Sequence, residues 1–199
     1  MVKIKICGLR RLEDIEIVNK YKPDYIGFVF ADSKRKVSHE LAAEMKSNLR
    51  EDIISVGVFV DADESEILEL YEMGVIEIAQ LHGSESEDYI NYLKENTNDK
   101  LKIIKAIEMS EDEDLSKYAD SSADYLLFDS GKGSGKTFDW RLIRTDLKKE
   151  FFLAGGINSQ NVKKAIEEFN PYAVDLSSSV ETDDYKDEDK IKEIMEVIS

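Results

Sequence analysis

Short apolar runs alternate with longer amphipathic stretches along the whole chain. The apolar runs cover residues 3–7, 25–30, 55–60, 77–81, 101–106, 124–128, 151–154 and 172–176. Several are rich in Val, Ile and Phe at consecutive positions, the pattern of parallel strands buried on both faces. Their starts lie 22, 30, 22, 24, 23, 27 and 21 residues apart, room for one strand and one helix per unit, repeated eight times. The intervening stretches repeat apolar residues at helical spacing: Leu12, Ile15 and Val18; Ile67, Leu70 and Tyr71; Ile90 and Leu93; Val162, Ala165, Ile166 and Phe169; Ile191, Ile194, Met195 and Ile198. Ser38, Asp63, Ser86 and Asn158 are side chains suited to cap helix starts. Residues 111–118 are very acidic and read as a weak helix, and 183–189 as a solvated loop before the last helix.

Eight β/α units without a long linker predict an α/β fold, a single-domain (β/α)8 TIM barrel spanning residues 1–199. A doubly wound sheet competes, but it more often uses five or six strands. At 199 residues the chain is near the lower size limit of such a barrel.

Composition narrows the partners. The net charge is −16, which argues against nucleic acid and against an anionic membrane surface, since both need a basic footprint. The longest uncharged apolar run, residues 53–60, is far short of the ~20 residues that span a bilayer. A strand-like run begins at Val2, so no leader peptide is expected. One cysteine excludes an internal disulfide and points to a reducing, cytoplasmic setting. His39 and His82 are isolated, and with no Cys/His cluster no transition-metal site is expected.

In a (β/α)8 barrel the chemistry sits at the C-terminal ends of the strands. These ends carry Cys7-Gly8, Ser33-Lys-Arg-Lys36, Gln80-Leu-His-Gly83, Asp129-Ser130, Ala154-Gly-Gly156 and Asp175-Leu-Ser-Ser-Ser-Val-Glu181. The seventh and eighth loops are the usual phosphate site of the fold, where backbone N–H groups surround an anion. Gly155-Gly156 alone reads as a tight turn; the serine run one unit later favours phosphate. Cys7 reads equally as a small buried hydrophobe and as a reactive thiol. Asp129 emerges from four apolar residues at the barrel mouth, as a functional carboxyl or as a loop cap. His82 and Gln80 suit interior polar residues as well as a base with its neighbour. Asp175 closes the eighth strand in the same way and suits ordering of the loop. Lys5 is assigned to the strand face away from its neighbours, with no part in activating Cys7. Residues 131–137 superficially suggest a nucleotide-binding loop, but the glycine spacing is wrong. Arg10, Arg11, Lys34, Arg35, Lys36, Lys132 and Lys136 all follow strands, which predicts a locally positive mouth on an acidic body.

The sequence resembles the phosphoribosylanthranilate isomerases of tryptophan biosynthesis. The resemblance rests on Lys5-Ile-Cys-Gly-Leu9, Gly27-Phe-Val-Phe30, Ser33-Lys-Arg35, Val56-Gly-Val-Phe-Val60, Gln80-Leu-His-Gly83, Asp129, Gly133-Ser-Gly-Lys-Thr-Phe-Asp-Trp140, Ala154-Gly-Gly-Ile-Asn158 and Val174-Asp-Leu-Ser-Ser178. It implies an Amadori rearrangement that opens the ribose of N-(5′-phosphoribosyl)anthranilate and yields a 1-deoxyribulose product, without metal or organic cofactor. It implies that Asp129 is the general acid on the ring oxygen and that Cys7, as thiolate, is the base at C2′. It further implies that Arg35 meets the anthranilate carboxylate, and that Gly156, Ser178 and the loop of Gly133, Ser134 and Gly135 hold the phosphate. Gln80, His82, Gly155 and Ser179 complete the candidate substrate site. Ser179 stands where the family usually has glycine, and the loop between Asp129 and Gly133 is short. The related isomerase of histidine biosynthesis carries an aspartate at the end of strand one, where this chain has Cys7; a non-catalytic phosphate-binding barrel would lack one of the two proton-transfer groups. Expected partners are a small-molecule sugar phosphate, with no nucleic acid and no membrane, in a monomer or homodimer. Free Cys and Asp titrate near pH ~8.5 and ~3.9, so each must be tuned toward neutrality, Cys7 downward.

Overall fold

The computed structural model describes residues 2–110, 113–129 and 148–198. Eight parallel strands close into a barrel in sequence order, with the eighth paired to the first. They are β1 (Lys3–Cys7), β2 (Tyr25–Val29), β3 (Ile54–Phe59), β4 (Ile78–Leu81), β5 (Lys102–Glu108), β6 (Tyr125–Asp129), β7 (Phe151–Leu153) and β8 (Ala173–Leu176). Helices α1 (Leu12–Tyr21), α2 (His39–Ser47), α3 (Glu64–Glu72), α4 (Glu87–Asn96), α5 (Val162–Phe169) and α6 (Glu188–Ile198) accompany them. The predicted strands match these within one or two residues at each end.

Strand alternation divides the side chains into two cores. Outward residues such as Ile6, Phe28, Leu81, Phe128 and Leu176 pack against Ile15, Met45, Ile67, Leu93 and Ala165 of the helices. Inward residues form a second cluster, with Tyr25, Val56, Ile78, Ile104, Leu127, Phe152 and Ala173. Its floor, at the strand N-terminal ends, is aromatic: the hydroxyls of Tyr25 and Tyr172 are 2.8 Å apart, and Tyr125 stacks on Tyr172 at 5.1 Å. The barrel is thus plugged below and can open only at its C-terminal mouth.

Three of the four predicted caps are made. Ser38 accepts from Leu41 N, Asp63 from Ser65 N and Ser86 from Tyr89 N, each satisfying an amide that a helix start leaves free. Asn158 does not cap a helix. Its side chain accepts from Gln160 N and its carbonyl from Asn161 N and Val162 N, so α5 begins only at Val162. The weak helix predicted over 111–118 is a single 310 turn, Leu115–Tyr118, because Leu115 and Tyr118 are its only apolar residues; residues 111 and 112 lie outside the described residues.

The stretch read as a solvated loop is instead a hairpin. β9 (Glu181–Thr182) pairs antiparallel with β10 (Tyr185–Lys186) across Asp183 and Asp184, both with φ positive, as a two-residue type I′ turn demands. The hairpin folds back because Lys186 is buried against Glu181, Nζ to Oε1 at 2.6 Å.

Candidate active site

A cavity of about 930 Å³ opens at the C-terminal mouth. Its walls are the last inward residues of successive strands: Cys7, Val29, Val58, Gln80 and His82, Glu108, Asp129, Ala154 and Asp175. Gly155, Gly156, Ser178, Ser179 and Arg35 come in from the loops. Inward strand parity gathers Cys7, Gln80, His82 and Asp129 in one chamber, and the loops bring Arg35, Gly155, Gly156, Ser178 and Ser179 to it. Gly133, Ser134 and Gly135 lie outside the described residues. Among the described residues, no group of three or more His, Cys, Asp or Glu side chains could hold a metal ion.

Cys7 owes its position to a neighbouring glycine. A Cβ on Gly27 of the paired strand would meet Cys7 Sγ at 2.6 Å, so only glycine there leaves space for the thiol. Gly8 does the same for Arg35: a Cβ would lie 2.5 Å from its Cδ, and φ is +88°. Arg35 then reaches across the mouth to Glu181, with Nε to Oε1 at 2.8 Å and Nη2 to Oε2 at 2.7 Å. This planar two-point pairing fixes the guanidinium plane. Glu181 also accepts from Lys186, which donates to Ser177 O as well. Ser177 Oγ in turn donates to Cys7 O at 3.1 Å. Loop 2, the hairpin and the end of β1 are thereby one unit. Burial would raise the Glu181 carboxyl, but Arg35 and Lys186 hold it below the usual carboxylate range. Burial lowers Lys186 despite Glu181.

Opposite Cys7, Asp129 Oδ2 lies 3.5 Å from His82 Nε2, and His82 Nδ1 lies 3.3 Å from Gln80 Nε2. Gly155 and Gly156 have φ of 77° and 72°, a left-handed turn open to glycine. The Gly156 carbonyl is tied back by the side chains of Asn158 and Asn161. After the neighbouring strand β8, Ser178–Val180 form a 310 turn whose leading N–H groups have no partner within the turn. Ser179 Oγ is buried with no hydrogen-bond partner.

Three expectations are corrected. Lys5 does not point away from Cys7: residues two apart share a face, and Lys5 is fully buried inside the barrel, donating to Asp175 Oδ2 and Gln80 Oε1, both at 2.8 Å. Applying the period of two to residues 5 and 7 would have found it. The thiol of Cys7 does not move down. Burial pushes it up, with Asp175 adding to the rise and Lys5 and Lys186 opposing it. Lys186 and Glu181 also escaped the sequence reading; the Asp-Asp pair between short flanks was the signal for the hairpin. Of the five described cations expected at the positive mouth, Arg11, Lys34 and Arg35 pair with carboxylates. Arg10 donates to Lys34 O and Asp184 O, Arg11 pairs with Asp14, and Lys34 with Asp184. Lys132 and Lys136 lie outside the described residues.

The fold and the mouth define a class: a (β/α)8-barrel enzyme that handles a small anionic substrate in a chamber sealed below. The chain belongs to the phosphoribosylanthranilate isomerase family, since the family described as N-(5'phosphoribosyl)anthranilate (PRA) isomerase matches residues 4–197. It is 45% identical over 203 residues to the N-(5'-phosphoribosyl)anthranilate isomerase of Clostridium acetobutylicum, covering 98% of this chain and 97% of that one. A crystal structure of a phosphoribosyl anthranilate isomerase in complex with reduced 1-(o-carboxyphenylamino)-1-deoxyribulose 5-phosphate superposes with a TM-score of 0.87 at 34% identity, over 98% and 97% of the two chains. Monomers generated from the dimeric enzyme of Thermotoga maritima superpose equally well, TM-score 0.87 at 34% identity, over 99% and 98%.

Proposed function

We propose that this chain isomerises N-(5′-phosphoribosyl)anthranilate to 1-(2-carboxyphenylamino)-1-deoxyribulose 5-phosphate, a step of tryptophan biosynthesis, with Asp129 as acid and Cys7 as base. The observation that carries the assignment of roles is that Cys7 and Asp129, 122 residues apart by number (129 minus 7), line one chamber from β1 and β6. Asp129 gives its proton to the furanose oxygen, and the ring opens to a Schiff base. Cys7, as thiolate, takes the proton from C2′ and leaves an enolamine, which becomes the ketone by gaining a proton at C1′ and losing one from the C2′ oxygen. Each such proton transfer contributes about 10²–10⁴-fold.

Arg35, held flat by Glu181, presents its remaining N–H groups to the anthranilate carboxylate. Gly155, Gly156, Ser178 and Ser179 receive the phosphate on backbone amides, and Gln80 and His82 line the wall between acid and base. The Gly133–Gly135 loop belongs to the same proposed phosphate site. Among the described residues no helix is long and apolar enough to cross a membrane; the single, free cysteine supports a reducing, cytoplasmic setting.

The test is a cofactor-free assay following loss of phosphoribosylanthranilate. Wild type should turn over, and Cys7→Ser and Asp129→Asn should each lose about 10²–10⁴ in kcat with KM little changed. Near-normal kcat in folded Cys7→Ser protein would remove the thiolate as base.

A further inference from the structure

Lys5 is the hub of a polar chain that no sequence motif announces. It lies at the centre of β1, register partner of Asp175 on β8, and its side chain is wholly shielded from solvent. Its ammonium donates to Asp175 on one side and to Gln80 on the other, at 2.8 Å each, and Cys7, two residues on along β1, shares its inward face. Beyond Gln80 the chain continues through His82 to Asp129. One lysine thus stands between the two groups that move protons.

Hydrogen-bond logic fixes the protons along this chain. An ammonium has donors only, so Gln80 must turn its oxygen toward Lys5. The Gln80 amide nitrogen, a donor, then faces His82 Nδ1, which must accept. The remaining imidazole proton is on Nε2, the atom facing Asp129 Oδ2. That proton faces one carboxyl oxygen of Asp129 across 3.5 Å. On the opposite side, Asp175 holds Oδ2 to Lys5 while its Oδ1 is buried with no hydrogen-bond partner among the described residues. Asp175, and the Cys7 sulfur once it is ionised, are therefore two anionic claimants for one ammonium. The other charged groups facing Cys7 are Lys186 and Arg35, which already share Glu181. His82 and Asp129 face Asp175.

We propose that Lys5 is the positioning residue of the site, sustaining the Cys7 thiolate directly and, through Gln80, fixing the His82 proton that faces Asp129, while Asp175 limits the first effect by competing for the same ammonium. The proposal rests on the assignment of Cys7 and Asp129 as base and acid only for its catalytic consequence. Burial pulls the Lys5 ammonium down, yet Asp175 and Cys7 outweigh it and keep the lysine charged. Burial likewise lifts Asp175, with Lys5 opposing.

The chain has one cysteine and two histidines, so both effects can be read without ambiguity. Iodoacetamide alkylation followed by mass across pH reports the Cys7 thiolate. Lys5→Met should move the alkylation midpoint up and slow the reaction at pH 7 about ten-fold, equal to one pKa unit. Asp175→Asn should move it down and speed the reaction, a sign that a merely structural role would not produce. Lys5→Arg should restore much of the wild-type midpoint. Gln80→Leu should leave alkylation nearly unchanged, while ¹⁵N–¹H spectra lose the fixed Nε2–H form of His82. An unchanged midpoint in folded Lys5→Met overturns the proposal, and so does an upward shift in Asp175→Asn, which remains decisive if Lys5→Met does not fold. Should wild type fail to turn over phosphoribosylanthranilate while both signatures appear, the substrate assignment fails and the role of Lys5 stands.

Discussion

Two of the three lysines buried among the described residues, Lys5 and Lys105, are built to opposite ends. Lys105 of β5 lies on the outward face and pairs with Glu85 at 2.7 Å while donating to Gly83 O at 2.8 Å. Glu85 is saturated, since it also accepts from Asp61 N and Gly83 N, and Asp61 accepts from Ser84 N. Lys5 lies inward, and its partner Asp175 keeps one oxygen unpaired beside the cavity. A saturated buried pair has nothing left to do but hold loops in place. An under-satisfied one keeps an electrostatic demand that chemistry can use. Satisfaction, more than burial, separates structure from reactivity here.

The sharpest way to break the comparison is activity. Lys5→Met should lower kcat by about 10², whereas Lys105→Met should leave the kcat of the folded fraction within about three-fold, roughly 0.6 kcal/mol of transition-state energy. Equal losses in steady-state assays would erase the distinction. Stability should rank the two the other way. Lys105→Met strands a buried carboxylate in a network, at a cost of about 3–5 kcal/mol. Lys5→Met costs less, because Asp175 is already lifted by burial and can take a proton. Urea unfolding at pH 7 measures both.

The third buried cluster, Arg35–Glu181–Lys186, supplies a pH test. Glu181 has its folded pKa depressed, so its stabilisation is fully present above the unfolded value near pH ~4.3 and is lost as pH falls through the folded value. Glu181→Gln should flatten the acid limb of a stability–pH curve below that point and also raise KM, because Arg35 loses its plane. An acid limb identical to wild type would mean the cluster carries no linkage. The smallest effect belongs to Ser179. Its hydroxyl has no hydrogen-bond partner among the described residues, so Ser179→Ala should change stability by no more than ~1 kcal/mol and raise KM by no more than about five-fold, one hydrogen bond's worth. A larger rise would make this hydroxyl a main phosphate anchor.

The sequence alone carried the barrel, because eight apolar runs at one-unit spacing leave few ways to bury every face, and strand-end position then nominated Cys7, Asp129, Gly155, Gly156 and Ser178. Alternation could also have reached Lys5, had residues 5 and 7 been placed on one face. What no linear pattern could supply were the pairings made by closure. Lys5 meets Asp175 170 residues on, and Arg35 meets Glu181 146 residues on, because β8 closes against β1 and the hairpin folds back over loop 2. The same closure decided the Cys7 thiol: its ionisation depends on how much water the barrel excludes and which cations it brings near, and both are properties of the assembled mouth rather than of any stretch of chain.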